Sequence, residues 1–291
     1  MNPRYARAVQ VWAQRWHEGN PAWVHERFGF NPDDYGVDLV DWQTAVDFIT
    51  THHYSRSVPA LRRYRFGLFD LTAEQPVLVG VAALSVPPRN EVLSGPFPRL
   101  VPNHESAELG RLILFDAVPH GAESWFYGEV RDWLAKNTTI RGLVMFSDPE
   151  MRTRNDGTIL LPGHVGTSYQ ASNALYLGYG TSRWLTLVDG LVFSDRARSK
   201  ILSYDQGWKY AAQILVDAGN GTVEPLDPAH DDPAEWVAKA LRKTGAKRRK
   251  HGGCHKYAMP VGCNARARGR VTIAGTPLPY PKLDLRQLGL F

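Results

Sequence analysis

The segment Gly142–Pro149, GLVMFSDP, sets the tightest bound on the fold of this chain. Five small or apolar residues in a row, Gly142 to Phe146, suit a short strand covered on both faces, as found inside a layered α/β sheet. The run ends in Ser147-Asp148-Pro149, so a carboxylate stands at the carboxyl end of a central strand, where open α/β sheets gather ligands. Downstream, His164–Tyr169, preceded by Gly163 and containing Gly166, supplies an imidazole and three hydroxyls ahead of an expected helix at Gln170–Leu177. A helix start exposes unpaired N–H groups and favours anions. An Asp-Pro turn followed by a capped helix would read the same way, so the weight falls on the remaining chain.

That remainder alternates between helix and strand patterns. Residues 4–18 are expected to be helical, from Tyr5, Val9, Trp12 and Trp16 at three- and four-residue spacing. Asp41 is placed to cap a helix over Trp42–Thr51, which leads into His52-His53-Tyr54-Ser55. Tyr64–Leu71 and Val77–Val86 flank a turn-like Thr72–Pro76 and read as a β-hairpin. Glu108–Phe115 is a further strand. Pro119 opens a helix to about Lys136, with Glu123 in its first turn and Lys136 near its last, as the helix dipole favours. The order implies an α/β (α+β) fold, a mixed central sheet with helices on both faces.

After Gly180 the pattern weakens. Short strands are expected at Trp184–Val188 and Leu191–Phe193, helices at Asp195–Leu202 and Pro233–Lys243, a loop or linker at Gly219–Pro233, and an edge strand at His255–Met259. The expected organisation is a catalytic core over 1–218 and a linker with a basic C-terminal extension over 219–291, which carries the last core strand near 255–259.

Charge divides the chain unevenly. Residues 239–291 hold 13 Lys/Arg against the single acid Asp284, or +12, while the first 238 residues hold 21 bases against 28 acids, or −7. A concentrated basic end on an acidic body implies a polyanionic partner, most often nucleic acid, with Lys247, Arg248, Arg249, Lys250 and Lys256 as its expected contacts. No apolar run approaches the roughly 18 residues of a membrane span. The amphipathic N-terminus is too polar for a secretory signal, and Cys254 and Cys263 alone make no disulfide framework. The expected location is cytoplasmic.

Several common chemistries are missing from the motifs. The chain has no Walker A, no Rossmann glycine triplet and no nucleophile elbow. Cys254 and Cys263, with His251 and His255 near them, form a C-x8-C spacing that matches no common structural zinc site. The deaminase signature is absent as well. His52-His53-Tyr54, ending a helix, offers an acid/base or ligand cluster if the fold brings it to Asp148 and Tyr169.

The segments HHYSRSVP, ELGRLIL followed by PHGAESWF, SDPE, and HVGTSYQASNALYLG resemble the Mom family of phage DNA-modification proteins, from about Ala45 to Gly180, with a weaker echo in KHGGCHKYAMP. The resemblance implies a GNAT-like acyltransferase fold and transfer of a carbamoylmethyl-like or related acyl-derived group to adenine N6 in duplex DNA, protecting it from restriction. It carries functional roles onto His53, Tyr54, Arg111, Ser124, Asp148 and Tyr169. It further implies iron held by His53, Tyr54, Asp148 and Tyr169, and an acyl donor, acetyl-CoA or amino-acid-derived, near Gly121 and Ser124. The loop Pro119–Glu123 keeps one glycine of the usual acetyl-CoA loop and adds an acid. A long insert over 151–163 separates Asp148 from His164, and the basic C-terminal extension exceeds the family core.

On that reading Asp148 is the expected base or metal ligand. Tyr54 and Tyr169 relay a proton or bind the same metal, and Arg111 orients a carboxylate or phosphate through its planar fork. Ser124 helps hold an anionic donor. Adenine leaves the stack for the site, with Tyr54, Tyr169 and Trp125 as candidate stacking groups. Two other readings stay open: a non-catalytic DNA-binding protein on a GNAT-like scaffold, and an N-acetyltransferase acting on a protein or small amine.

Overall fold

The computed structural model describes residues 12–17, 20–25, 29–53, 58, 62–161 and 163–282, with side chains left out for 12–17, 20–25, 62 and 63. In chain order the elements are β1 (Trp12–His17), β2 (Asn20–His25), β3 (Tyr35–Leu39), α1 (Trp42–His52), β4 (Arg62–Asp70), β5 (Val77–Ser85), α2 (Glu91–Ser94), β6 (Ser106–Leu114), α3 (Ala122–Asn137) and β7 (Gly142–Ser147). There follow β8 (Arg152–Thr153), β9 (Ile159–Leu161), α4 (Thr167–Ala171), β10 (Leu175–Tyr179), β11 (Arg183–Val188), β12 (Leu191–Phe193), α5 (Asp195–Ser203), α6 (Trp208–Ala218) and α7 (Pro233–Lys243). The last are β13 (Lys247–His251), β14 (His255–Pro260) and α8 (Ala265–Gly269).

The chain divides into two compact units. One takes the chain up to Pro149, His164–Gly178 and everything from Cys254; the other takes Glu150–Gly163 and Tyr179–Gly253. These bounds differ from the expected single boundary at 218/219. The insert is anchored to the second unit by Asp189, which accepts from Arg154 Nη1 at 2.6 Å and from the Asn155 N–H at 2.9 Å. The basic extension is likewise not one piece. Lys247–Lys250 lie in the second unit, and Lys256 lies in the first.

The first unit is built on a seven-stranded sheet in the order β10-β14-β7-β6-β5-β4-β3. From β3 to β6 every pairing is antiparallel, β6 and β7 run parallel, and β7 and β14 are antiparallel again. Helices cover both faces, so the mixed α/β sheet implied by the sequence is the fold observed. On one face α1 buries Ala45, Phe48 and Ile49 against Val81, Ala83 and Ile113. On the other, Phe126, Val130 and Leu134 of α3 pack with Ala82, Leu84, Leu143 and Met145. The expected cap is in place: Asp41 accepts from the Thr44 N–H at 3.0 Å, and α1 ends where the His53 N–H donates to Ile49 O at 2.9 Å. The β4–β5 hairpin is closed by Asp70 Oδ1, which accepts from both the N–H and the hydroxyl of Thr72.

Three local expectations are corrected. Trp12–His17 is a strand paired with Asn20–His25, while residues 4–11 of the expected helix lie outside the described residues. A spacing of four between Trp12 and Trp16 satisfies a strand's period of two as well as a helix's, and aromatic residues favour the strand. The expected helix Gln170–Leu177 begins earlier and stops at Ala171. Asn173 then takes a left-handed φ of 59°, and the chain continues as β10. Finally, β14 is not an edge strand but lies between β10 and β7. Its burial on both sides follows from Tyr257, Ala258 and Met259, all inside the core.

The second unit holds a three-stranded sheet, β12-β11-β13. Val188 and Phe193 of that sheet pack with Ile201, Leu215, Trp236 and Val237 of α5, α6 and α7. The helix α6 has no counterpart among the sequence expectations.

Candidate active site

The parallel strands β6 and β7 pair only over Ser106–Glu108 and Gly142–Val144, although both continue further. Beyond that point their carboxyl halves part, and a parted pair of parallel strands is where an α/β sheet opens to ligands. A bulge acts on the same stretch. Ala83 pairs with Arg111 and Leu84 with Leu109, so Gly110 is the extra residue. The bulge reverses the alternation of side chains along β6. Leu109 accordingly faces the α3 side, whereas Arg111 and Ile113 face α1.

This reversal brings Arg111 to the end of α1, where His53 is buried. Burial drives the His53 imidazole well below its ordinary pKa, with the Arg111 guanidinium and then His164 pushing the same way. His53 is therefore neutral at physiological pH. Glu108, on the same strand, is pushed up by burial and partly held down by Arg111. Arg111 Nη1 also donates to Gly110 O at 2.6 Å, which fixes the guanidinium against the bulge.

Asp148 follows β7 directly. The His164 N–H donates to Asp148 O at 2.8 Å, so the chain leaves and returns at one point. Burial pushes the His164 imidazole down to about 4, against the pull of the Asp148 carboxylate and with a smaller push from His255. His255 is lowered as well, by burial and against Asp148. One carboxylate thus faces two imidazoles that are neutral at pH 7. Cys254 stands beside them, its Sγ within 4.8 Å of an Asp148 carboxylate oxygen.

An aromatic wall closes the other side. The Tyr176 hydroxyl and His255 Nδ1 are 2.8 Å apart. The Tyr257 ring lies 5.2 Å from Tyr176 and 5.4 Å from Tyr169, and its hydroxyl donates to Val165 O. Gln170 Nε2 donates to the Tyr257 hydroxyl at 3.1 Å and to Val165 O at 3.0 Å. Burial pushes the Tyr257 phenol up to about 12, so it stays protonated. Gly166 has a left-handed φ of 73°, and a Cβ there would come within 2.7 Å of the Tyr169 ring and 2.9 Å of Tyr257. Only glycine fits both the turn and the close approach.

The structure brings His53, Arg111 and Asp148 into one region, linked through His164. Tyr169 packs with Tyr127 and Tyr257 in the core, and its hydroxyl points to Phe146 O at a long 3.4 Å. Tyr54 lies outside the described residues. Gly121 caps α3 with a left-handed φ of 97°, and Ser124, third in that helix, donates back to Gly121 O at 2.9 Å. Trp125 packs against Phe30, ring centroids 5.6 Å apart. Of the basic residues, Lys247–Lys250 form β13, while Lys256 is half-buried in β14. Sequence reasoning counted His164 among the polar groups after Asp148 and weighed His255 beside the cysteines as a zinc ligand, but named no role for Tyr176. All three lie inside the motifs HVGTSYQASNALYLG and KHGGCHKYAMP, but only the sheet order puts them together.

The iron implied at His53, Tyr54, Asp148 and Tyr169 meets mixed donors. A carboxylate beside neutral imidazoles suits a divalent transition metal. The Arg111 cation opposes one at His53. At Asp148 the Cys254 thiol is within ligand reach, whereas Tyr169 is packed into the core, so the chemistry fits Asp148 better than Tyr169.

Comparison with known proteins gives three findings. The profile of the Mom protein family matches residues 34–282. Among curated proteins, no sequence matches. Among solved structures, a tandem GNAT protein from the clavulanic acid biosynthesis pathway, without AcCoA, is similar at 12% identity and a TM-score of 0.28, over 75% of this chain and 64% of that one. The chain thus spans just under two thirds of that protein's length.

Proposed function

The chain belongs to the Mom protein family, and on that premise we propose that it is a transferase that modifies adenine N6 in duplex DNA. The group transferred is carbamoylmethyl-like or otherwise acyl-derived, and the modified DNA resists restriction. The observation that supports this reading most directly is the convergence of Arg111, Asp148, His164 and His255 where β6 and β7 part.

Adenine N6 is a poor nucleophile because its lone pair is delocalised into the ring. As the N6 bond forms, the bond from the transferred group to its donor carrier breaks, the carrier leaves with that electron pair, and the site must accept a proton from N6. Asp148 is the acceptor, at the carboxyl end of the central strand. The neutral His164 and His255 hold and orient that carboxylate without neutralising it. Arg111, fixed at the bulge, orients a carboxylate or phosphate of the donor or of the DNA through paired N–H groups. The donor, acetyl-CoA or amino-acid-derived, lies toward Gly121 and Ser124 at the start of α3. Iron, if bound, would be held at Asp148 with the Cys254 thiol in reach, and would supply Lewis acidity for activating the electrophile. The base reaches this region by leaving the stack, at a cost of a few kcal/mol.

Mass spectrometry of nucleosides from DNA co-expressed with the protein tests the reading. A new adenine derivative with wild type, and none with Asp148→Asn, is the expected result. Unmodified adenine with folded wild type, on several DNA substrates, would overturn it.

A further inference from the structure

The four cations of β13 are not equivalent. Side chains alternate along a strand, and residues paired across two strands share a face. Trp184 pairs with Lys250 and Thr186 with Arg248, so these four share one face of the β11–β13 ribbon. Lys247 and Arg249, paired with Leu187 and Leu185, lie on the other. There Arg249 is drawn to Glu150, Nη2 to Oε2 at 3.3 Å. The first face is different in kind. Arg248 lies over the Trp184 ring, 5.4 Å from its centroid, and 57% of Trp184 is exposed to solvent.

Cations on an outer strand guard a sheet edge against unwanted pairing. That role needs no exposed tryptophan, and an open indole beside an edge works against it. An indole with a guanidinium on its face and an ammonium across the ribbon instead matches what a nucleic acid strand presents, a flat base next to a phosphate. Bases inside a duplex hide their faces in the stack, so Trp184 can stack only on an unpaired one.

The geometry points to Trp184, Arg248 and Lys250 as a platform for an unpaired base of DNA and its neighbouring phosphate. It shares no residue with the Asp148 region and rests on the DNA reading above. Its occupant is a single strand, or the strand opened when a base leaves the duplex.

The test uses the full chain and fluorescence anisotropy with a labelled single-stranded oligonucleotide and the same sequence as duplex. Trp184→Ala should weaken single-strand binding roughly 5- to 100-fold, the range of one base–aromatic stack. Trp184→Phe should restore most of that loss, and Arg249→Ala should change single-strand binding by less than either Arg248→Ala or Lys250→Ala. Wild type should lose part of its tryptophan emission on binding, and Trp184→Phe should lose less. Equal single-strand affinity in wild type and folded Trp184→Ala would overturn the platform while leaving duplex recognition standing. Wild type that binds neither probe would remove the DNA reading itself, and the platform with it.

Discussion

The main-chain N–H of His164 donates to the carbonyl of Asp148 at 2.8 Å, tying together two residues sixteen positions apart. Between them, Glu150 to Gly163 belong to the second unit. The hydrogen bond lets a long insertion interrupt the chain without displacing the carboxylate from its imidazole. Closing such a loop costs little, because the entropy grows only logarithmically with length.

His164→Gln should therefore cut modification strongly, by about 10²-fold or more, as expected for a group that orients a proton acceptor. The main-chain bond to Asp148 survives the substitution, so the fold should hold. Nucleoside mass spectrometry and far-ultraviolet circular dichroism on the same preparation check both halves. Near wild-type yield from a folded variant would remove His164 from the site.

How much of this was legible beforehand depends on the kind of signal. Asp41 as a cap, the β4–β5 hairpin and the strand ending at Asp148 are local, written in spacing and turn residues, and were read directly. The adjacency of His255 to Ser147 is not local, since it needs β14 to insert between β10 and β7. Arg111 was named from a motif, but its direction depends on one extra residue at Gly110, and a bulge leaves little trace in hydrophobic periodicity. The split of the basic tail between two units was hidden for the same reason. Net charge has no topology, and only pairing separates Lys250 from Lys256.

Tyr169→Phe should keep modification within about tenfold of wild type. Its hydroxyl lies a long 3.4 Å from the Phe146 carbonyl and beside the Tyr127 phenol, while its ring packs between Tyr127 and Tyr257. Tyr169→Ala should instead destabilise by about 3–5 kcal/mol, the usual cost of removing a core aromatic ring. Urea unfolding separates the two. A hundredfold loss in a stable Phe variant would give the hydroxyl a direct chemical role.

Gly166→Ala should lower stability even though it adds one methyl group. A left-handed φ of 73° costs an L-residue about 1–2 kcal/mol. The new Cβ would also press on Tyr169 and Tyr257 at 2.7 and 2.9 Å, adding about 1–3 kcal/mol of overpacking. Thermal unfolding of the variant should show a clear fall in Tm. Gly157→Ala, where a Cβ meets nothing within 4 Å, should fall by the backbone term alone.

Stability should decline on mild acidification. His164 titrates at about 4 in the folded protein and at 6.5 when exposed. Between those values the unfolded chain binds the extra proton, so stability is fully retained above 6.5 and lost as pH falls toward 4. The loss from this group is at most about 3 kcal/mol. His53 and His255, both lowered by burial, act in the same direction. Urea midpoints at several pH values between 4.5 and 7.5 should slope upward, and His164→Gln should flatten part of that slope. An unchanged profile in the variant would show that His164 is not held neutral by the fold.

Duplex affinity should depend on salt through β13, and Glu150 should set part of that dependence. The slope of log affinity against log salt changes by about 0.9 for each phosphate contact. Replacing Lys247, Arg248, Arg249 and Lys250 with alanine should flatten the slope by less than four such steps, because Arg249 is partly committed to Glu150 at 3.3 Å. Glu150→Gln should do the opposite. With its partner's charge removed, Arg249 becomes available to a phosphate, and the slope should steepen by up to one step. The pair is partly open to solvent, so its loss should change the unfolding midpoint little. Titrations of duplex DNA over a range of salt, with wild type and both variants, give the three slopes. A quadruple variant with the wild-type slope would take β13 out of the interface, and a Glu150→Gln slope no steeper than wild type would mean that Arg249 stays away from DNA even when released.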